Sequence, residues 1–328
     1  MKIGIFTALL HDRPIEEALD IIAAAGIQAV EIGAGAYPGS RHLDDVGGVD
    51  KLLKDEAARK KLKKMVEDRG LIIDSLSVHG NPLHPDRIVA NEHHTAFQKA
   101  VELAEKLDLT VVNGFSGCPG DGPRAKNPNW VTCPWPDEYR AILDWQWKKK
   151  VIPYWKAQNR FLRAHKIKFA IEAHPGFIVY NPETALRLRK AGGSNIGVNF
   201  DPSHFWWQGI DPIAAVRALG EAGAIFHVHA KDTRIDPYNS AVNGNLDTKS
   251  YGDILHRSWV FRSVGYGHDT IWWKDFVSSL RTVGYDGVLS IEHEDGLLST
   301  REGLLKAVET LKAAVVTEKA GEMFWAKA

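Results

Sequence analysis

A repeated rhythm constrains this chain most: short apolar stretches alternate with amphipathic stretches of helical period, eight times over. "KIGIFT" (2–7) reads as a strand. Asp12 and Pro14 then fit a helix start, and Ile15, Ala18, Leu19 and Ile22 follow at helical spacing. Gly26 closes that helix and "AVEIG" (29–33) is the next strand. Further strands are read at 72–80, 110–117, 169–176, 196–204, 224–232 and 287–295. Helices fall between and after them, at 51–69, 86–107, 137–166, 181–191, 211–220, 271–283 and 299–316. Such alternation implies parallel strands joined by right-handed crossovers. Eight units in 328 residues predict an α/β fold, a (β/α)8 TIM barrel formed by residues 1–328 as one domain. The doubly wound alternative expects a glycine-rich first turn, and "TALLHDRP" (7–14) has none. Segments 118–136 and 233–268 are too long for simple connections and read as loop insertions.

A barrel of this kind carries its active site at the C-terminal ends of its strands. The fifth strand ends with Glu172 and His174, the sixth with Asp201 and His204, the seventh with His227 and His229, and the eighth with Glu292 and Glu294. Positions 172, 201 and 229 step by 29 and then 28 residues, each about one βα unit. Glu172, Asp201, His229 and Glu292 are therefore expected at equivalent depths on four consecutive strands. Three carboxylates facing one another without a cation would cost several kcal/mol each in desolvation and repulsion. A divalent metal removes that cost. Oxygen-rich ligands with one imidazole suit Mn2+ or Mg2+, with Co2+ or Zn2+ also compatible. His227, one period-2 step deeper than His229, reads as a hydrogen-bonded core histidine. Lys231 and Asp232 are placed at the rim, as substrate contacts or as anchors of the insertion.

Composition narrows the partners. Lys+Arg and Asp+Glu both number 41, so no surplus positive charge exists to hold nucleic acid. The basic run at 51–70 is interleaved with Asp55, Glu56, Glu67 and Asp68 and reads as a solvated helix face. No apolar run reaches membrane-spanning length. Cys118 and Cys133 are the only cysteines, which fits a reduced, cytoplasmic setting. Several of the 11 tryptophans, Trp130 and Trp135 among them, lie in proline-containing loops, as rim packing or as walls for a sugar or aglycone. Met323, Phe324 and Trp325 in the tail are expected to pack, on this chain or on another subunit of a homo-oligomer.

"IEAHPG" (171–176), "DPSH" (201–204), the second histidine of "HVHAKD" (227–232) and "SIEHED" (290–295) together resemble the xylose isomerase-like TIM-barrel superfamily. Within it they are most similar to the sugar phosphate isomerase/epimerase-type proteins that include the ketose 3-epimerases. The resemblance runs strand by strand along the chain. It implies Glu172, Asp201, His229 and Glu292 as ligands of Mn2+ or a similar ion, with Glu172 and Glu292 also moving the proton on either face of the carbon. His204 matches a substrate-contacting histidine, and Arg234 approximates an arginine that follows the metal histidine, one residue closer here. His79 and His174 join the candidate substrate contacts.

The implied activity is a metal-dependent isomerase or epimerase. A proton next to the carbonyl of a sugar or keto-sugar would be abstracted through a metal-stabilised enediolate. A relative of the same architecture offers a second reading: the catalytic subunit of a C-glycoside deglycosidase, eliminating from 3-keto-glycosides with a small β-rich partner. A third, an endonuclease-four-like DNA-repair enzyme, would want more metal-ligating histidines and a basic groove. Partners are accordingly a small sugar, keto-sugar or glycoside, with neither nucleic acid nor membrane expected.

Overall fold

A computed structural model describes residues 1–326. Eight parallel strands close into a barrel: β1 (Lys2–Phe6), β2 (Ala29–Gly33), β3 (Ile72–Ser77), β4 (Val111–Gly114), β5 (Lys168–Glu172), β6 (Ile196–Phe200), β7 (Ile225–Ala230) and, last in the chain, β10 (Val288–Ile291). β1 pairs with both β2 and β10, which completes the ring. Each strand is flanked by helices whose apolar faces pack outside it in one continuous core, including Leu19, Leu62, Phe97, Trp155, Leu188, Leu219, Trp273 and Leu311. Polar residues start several of these helices in the expected way. Asp86 accepts the Ile88 amide at 2.8 Å, and Asn181 forms a reciprocal cap with Thr184. Gly197 on β6 is required by proximity, since a Cβ there would stand 2.4 Å from the Phe226 ring.

Two helices read as continuous from sequence are interrupted. The 51–69 stretch splits at Asp55, whose carboxylate caps the second piece by accepting the Ala58 amide at 3.1 Å. The 137–166 helix passes through a π-type segment at Gln146–Val151. There the Gln146 amide donates to the carbonyls of Pro119, Gly120 and Asn129, pinning the 118–136 loop to the barrel wall. The 233–268 segment is not irregular throughout. It contains an antiparallel pair, β8 (Asp232–Ile235) and β9 (Trp259–Arg262), with a helix at Pro237–Asn243 between them. Met323, Phe324 and Trp325 do not pack on this chain; they are 64%, 76% and 72% exposed.

Asp232 holds that insertion to the barrel. Its fully buried carboxylate accepts the amides of Gly265, Gly267 and His268 at 3.0, 3.1 and 2.9 Å. Asp232→Ala leaves those donors unpaired and is expected to destabilise the segment by about 2–4 kcal/mol. Limited proteolysis should then cut within 233–268 first, and an unchanged digestion pattern would contradict the anchoring role.

The barrel interior beneath the mouth is polar. Glu31, Ser75, Ser77, Asn113, Asn199, His227 and Ser290 are all buried and alternate with outward-facing apolar residues along their strands. Asn113 Nδ2 donates to Glu31 at 2.9 Å and to Ser75 at 3.1 Å. Ser290 donates to Glu31 at 2.8 Å, and His227 Nδ1 lies 2.9 Å from Asn199 Oδ1. This layer is the floor on which the site is built.

Candidate metal centre

Strand register brings the four sequence-predicted ligands together. Glu172 is the last residue of β5, Asp201 follows β6, His229 lies in β7 opposite Ser290, and Glu292 follows β10. One ligand atom from each of Glu172, Asp201, His229 and Glu292 falls within a cluster no more than 4.8 Å across. His229 Nδ1 stands 3.2 Å from Glu172 Oε2 and 3.0 Å from Glu292 Oε2. Nδ1 makes no aligned hydrogen bond to either carboxylate, and Asp201 Oδ2 accepts none, meeting only the Lys231 ammonium at 3.2 Å and His204 Nε2 at 3.3 Å. Ligands bonded to one ion at 2.0–2.2 Å in octahedral geometry are separated by about 3 Å along each edge. The spacing of the cluster and its oxygen-rich donor set with one imidazole therefore fit a divalent cation.

The surroundings supply the rest of the charge balance. Lys231 is 2% exposed, not at the rim, and its ammonium lies 3.2 Å from Asp201 Oδ2, 2.9 Å from Glu292 and 3.0 Å from Glu294. Burial disfavours its charge, but Asp201, Glu292 and Glu294 outweigh that and hold its pKa well above the usual lysine range. Glu292 is pulled the other way. Burial raises its pKa, yet Lys231 and then His229 bring it down to about 2. Glu172 is likewise held well below the carboxylate range: burial opposes this, and His79, His204 and His229 overcome it. Both glutamates are thus ionised and able to accept a proton. With His229 neutral, the three candidate carboxylate ligands Glu172, Asp201 and Glu292 and the Lys231 ammonium sum to a double negative charge, the complement of a divalent ion.

The other predicted residues divide. His79 Nε2 lies 2.9 Å from Glu172 Oε2, and His204 Nε2 lies 3.1 Å from Glu172 Oε1 and 3.3 Å from Asp201 Oδ2. His174 lies against His204 with ring centroids 4.1 Å apart and planes tilted by 56°; burial and the His204 charge depress its pKa to about 3, so it is neutral. His79, His174, Glu172 and Glu292 line an open cavity of about 510 Å³. Arg234, in contrast, is exposed on β8 and borders neither that cavity nor its neighbour. His227 sits in the floor, with Nε2 3.0 Å from Asp74.

Glu31 was not among the predicted residues. Its carboxylate meets His229 Nε2 at 3.0 Å, on the side of the ring away from the cluster. Burial acts to raise its pKa, but His229 and then His227 hold it well below the usual range. A carboxylate behind a ligating imidazole fixes the ring and leaves the other nitrogen free for metal. Its only sequence signal was a glutamate inside an otherwise apolar strand, "AVEIG".

His229 also yields a prediction. Burial lowers its pKa, but Glu31 and then Glu292 raise it well above 6.5, so the metal-free ring is protonated at neutral pH. Ligation through Nδ1 requires that proton to leave. Binding of Mn2+ at pH 7 is expected to release about one proton per ion. Affinity should then rise with pH across neutrality. Calorimetry in buffers of different ionisation enthalpy measures this directly, and zero release would show that His229 does not bind the ion.

A (β/α)8 barrel with a Glu/Asp/His/Glu cluster at the C-terminal ends of four adjacent strands defines the structural class. The sequence profile of the xylose isomerase-like TIM barrel family matches residues 19–314, and the chain belongs to that family. The Bacillus subtilis (strain 168) protein YfiH, itself uncharacterised, is 40% identical over 318 residues, spanning 96% of this chain and 99% of that protein. A D-tagatose 3-epimerase-like protein superposes with a TM-score of 0.64 at 22% identity over 95% of this chain and 96% of its own. The IOLI protein, solved with a bound zinc atom, gives a TM-score of 0.62 at 18% identity over 96% and 98%. Among the described residues no helix is long and apolar enough to cross a membrane.

Proposed function

We propose that this protein is a divalent-metal-dependent isomerase or epimerase that moves a proton next to the carbonyl of a sugar or keto-sugar. The observation that carries the reading is the placement of two ionised carboxylates, Glu172 and Glu292, both beside His229 Nδ1 in a metal-sized cluster that opens to the mouth cavity. Glu172, Asp201, His229 and Glu292 would hold the ion. A bound divalent cation supplies positive charge that acidifies the carbon beside a carbonyl. Glu172 or Glu292 then takes the proton, and the other returns one from its own side. His79 and His204 fix the Glu172 carboxylate from two directions, and His174 presents a neutral donor or acceptor to the cavity. Phe6, Phe115 and Phe177 give that cavity apolar walls suited to the carbon faces of a sugar. The named activities of the D-tagatose 3-epimerase-like protein and of a D-psicose 3-epimerase of similar fold agree with this reading.

Deuterium incorporation tests it. A panel of ketoses and 3-keto-glycosides in D2O with Mn2+ should include one that exchanges its α-proton, and chelation should stop the exchange. No exchange across the panel with the metal bound would leave a binding protein rather than an enzyme. A second reading, elimination from a keto-glycoside, is favoured by a further cavity beside the first, bordered by the same His174 and Glu294. Loss of an aglycone after proton abstraction, together with co-purification of a small second subunit, would select it.

A further inference from the structure

The second cavity measures about 370 Å³ and is enclosed largely by the 233–268 segment. Ile254, Val260, Phe261 and Leu297 make most of its wall apolar. Arg257 does not suit that company. It is 2% exposed and among the largest fully enclosed side chains of the protein. Nε donates to the Trp259 carbonyl at 3.0 Å and Nη1 to the Lys249 carbonyl, while Nη2 has no partner and is covered from solvent. Among the described residues no carboxylate pairs with this guanidinium. Asp247, which feels its charge, is already engaged by the amides of Ser258 and Lys249 at 2.7 and 2.9 Å and by the Lys249 ammonium. The rings of Tyr251 and Trp259 lie 4.6 and 4.5 Å from the guanidinium carbon.

A purely structural role accounts for two of the three nitrogens, which tie the insertion to itself. It leaves the third without an acceptor, and the charge faces only two aromatic rings and an Asp247 carboxylate already engaged elsewhere. We propose that the second cavity is a substrate subsite for an apolar, ring-sized group that ends in a carboxylate, received by Arg257 Nη2. The inference rests on the proposed function in one respect: with a keto-sugar in the first cavity, the substrate is a keto-sugar bearing an acidic substituent. One free nitrogen offers two N–H groups, enough for a carboxylate and too few for a phosphate dianion. Tyr251, 61% exposed and lying over the guanidinium, is the wall residue that turns aside to admit the group.

The probe is benzoate, compared with benzamide as its neutral counterpart and with phenyl phosphate, titrated by ligand-observed NMR and calorimetry into the full-length protein. The protein is used both Mn2+-loaded and after chelation, so that benzoate binding which disappears with the ion is assigned to the first cavity and counts against the subsite. Benzoate should bind saturably and roughly tenfold tighter than benzamide. Arg257→Met should weaken benzoate roughly tenfold while leaving benzamide unchanged, with Arg257→Lys intermediate. The benzoate–benzamide comparison needs no variant and so survives a folding defect in either. Equal binding of benzoate and benzamide, or unchanged benzoate affinity in a folded Arg257→Met protein, overturns the subsite. Phenyl phosphate binding tighter than benzoate overturns the carboxylate assignment. Glu172→Gln should abolish α-proton exchange yet keep benzoate binding. Benzoate binding without exchange in the wild type would therefore sink the proposed reaction alone, and exchange without benzoate binding would sink the subsite alone.

Discussion

Glu172→Gln and Glu292→Gln are each expected to slow exchange of the α-proton of a keto-sugar substrate by about a thousandfold, equivalent to roughly 4 kcal/mol of barrier. An amide has nearly the shape of the carboxylate but cannot accept the proton. The loss should therefore appear in turnover at saturating Mn2+, with the fold retained by circular dichroism and thermal melting. Glu172 is 2% exposed and lies between three histidines, whereas the Glu292 side chain is 19% exposed and touches Lys231. The two variants should consequently differ in which face loses exchange. A stereochemically resolved NMR measurement would show each glutamate serving one side of the reacting carbon. Exchange within tenfold of wild type in either variant, with metal still bound, would remove that residue from proton transfer.

The barrel was legible because its periodicities are strong: helices of 10 residues or more with clean apolar faces alternate with strands buried on both sides. What the sequence concealed is local. Asp55 looks like one more charge in a basic helix, and only its extended backbone and its cap on the Ala58 amide reveal a break. β8 and β9 are four residues each and separated by 23 residues, too short and too far apart for period-2 alternation to register as a pair. The candidate ligands were readable because strand ends recur at nearly constant spacing. Glu31 was not, since a single acidic residue in a strand carries no spacing signal and its partner, His229, lies 198 positions away. Lys231 was misplaced for a related reason. The register that turns His229 inward also turns Lys231 inward, but a lysine in sequence reads as solvent-facing until three carboxylates are seen around it.

Glu31 carries the largest expected effect outside proton transfer. Glu31→Ala would leave His229 Nε2, Ser290 Oγ, Asn113 Nδ2 and Ser77 Oγ buried without their common acceptor. Breaking a buried charged pair by removing one partner costs about 3–5 kcal/mol, and chemical denaturation of the metal-free protein should show a loss of that order. The same substitution frees the His229 ring to turn and should weaken Mn2+ binding by about 10–100-fold. Glu31→Gln separates the two contributions. Its carbonyl still accepts from Nε2, so ring orientation and most of the metal affinity should survive while the charge is lost. The wild-type contribution also has a defined pH dependence. Glu31's folded pKa lies below its ordinary value of 4.5, so its stabilisation is complete above about pH 4.5 and is lost as the pH falls toward the folded value. Denaturation of wild type and Glu31→Ala should therefore converge as the solution is acidified. A Glu31→Ala protein with unchanged stability and unchanged Mn2+ affinity at pH 7 would mean that the His229 ring is held by the strand backbone alone.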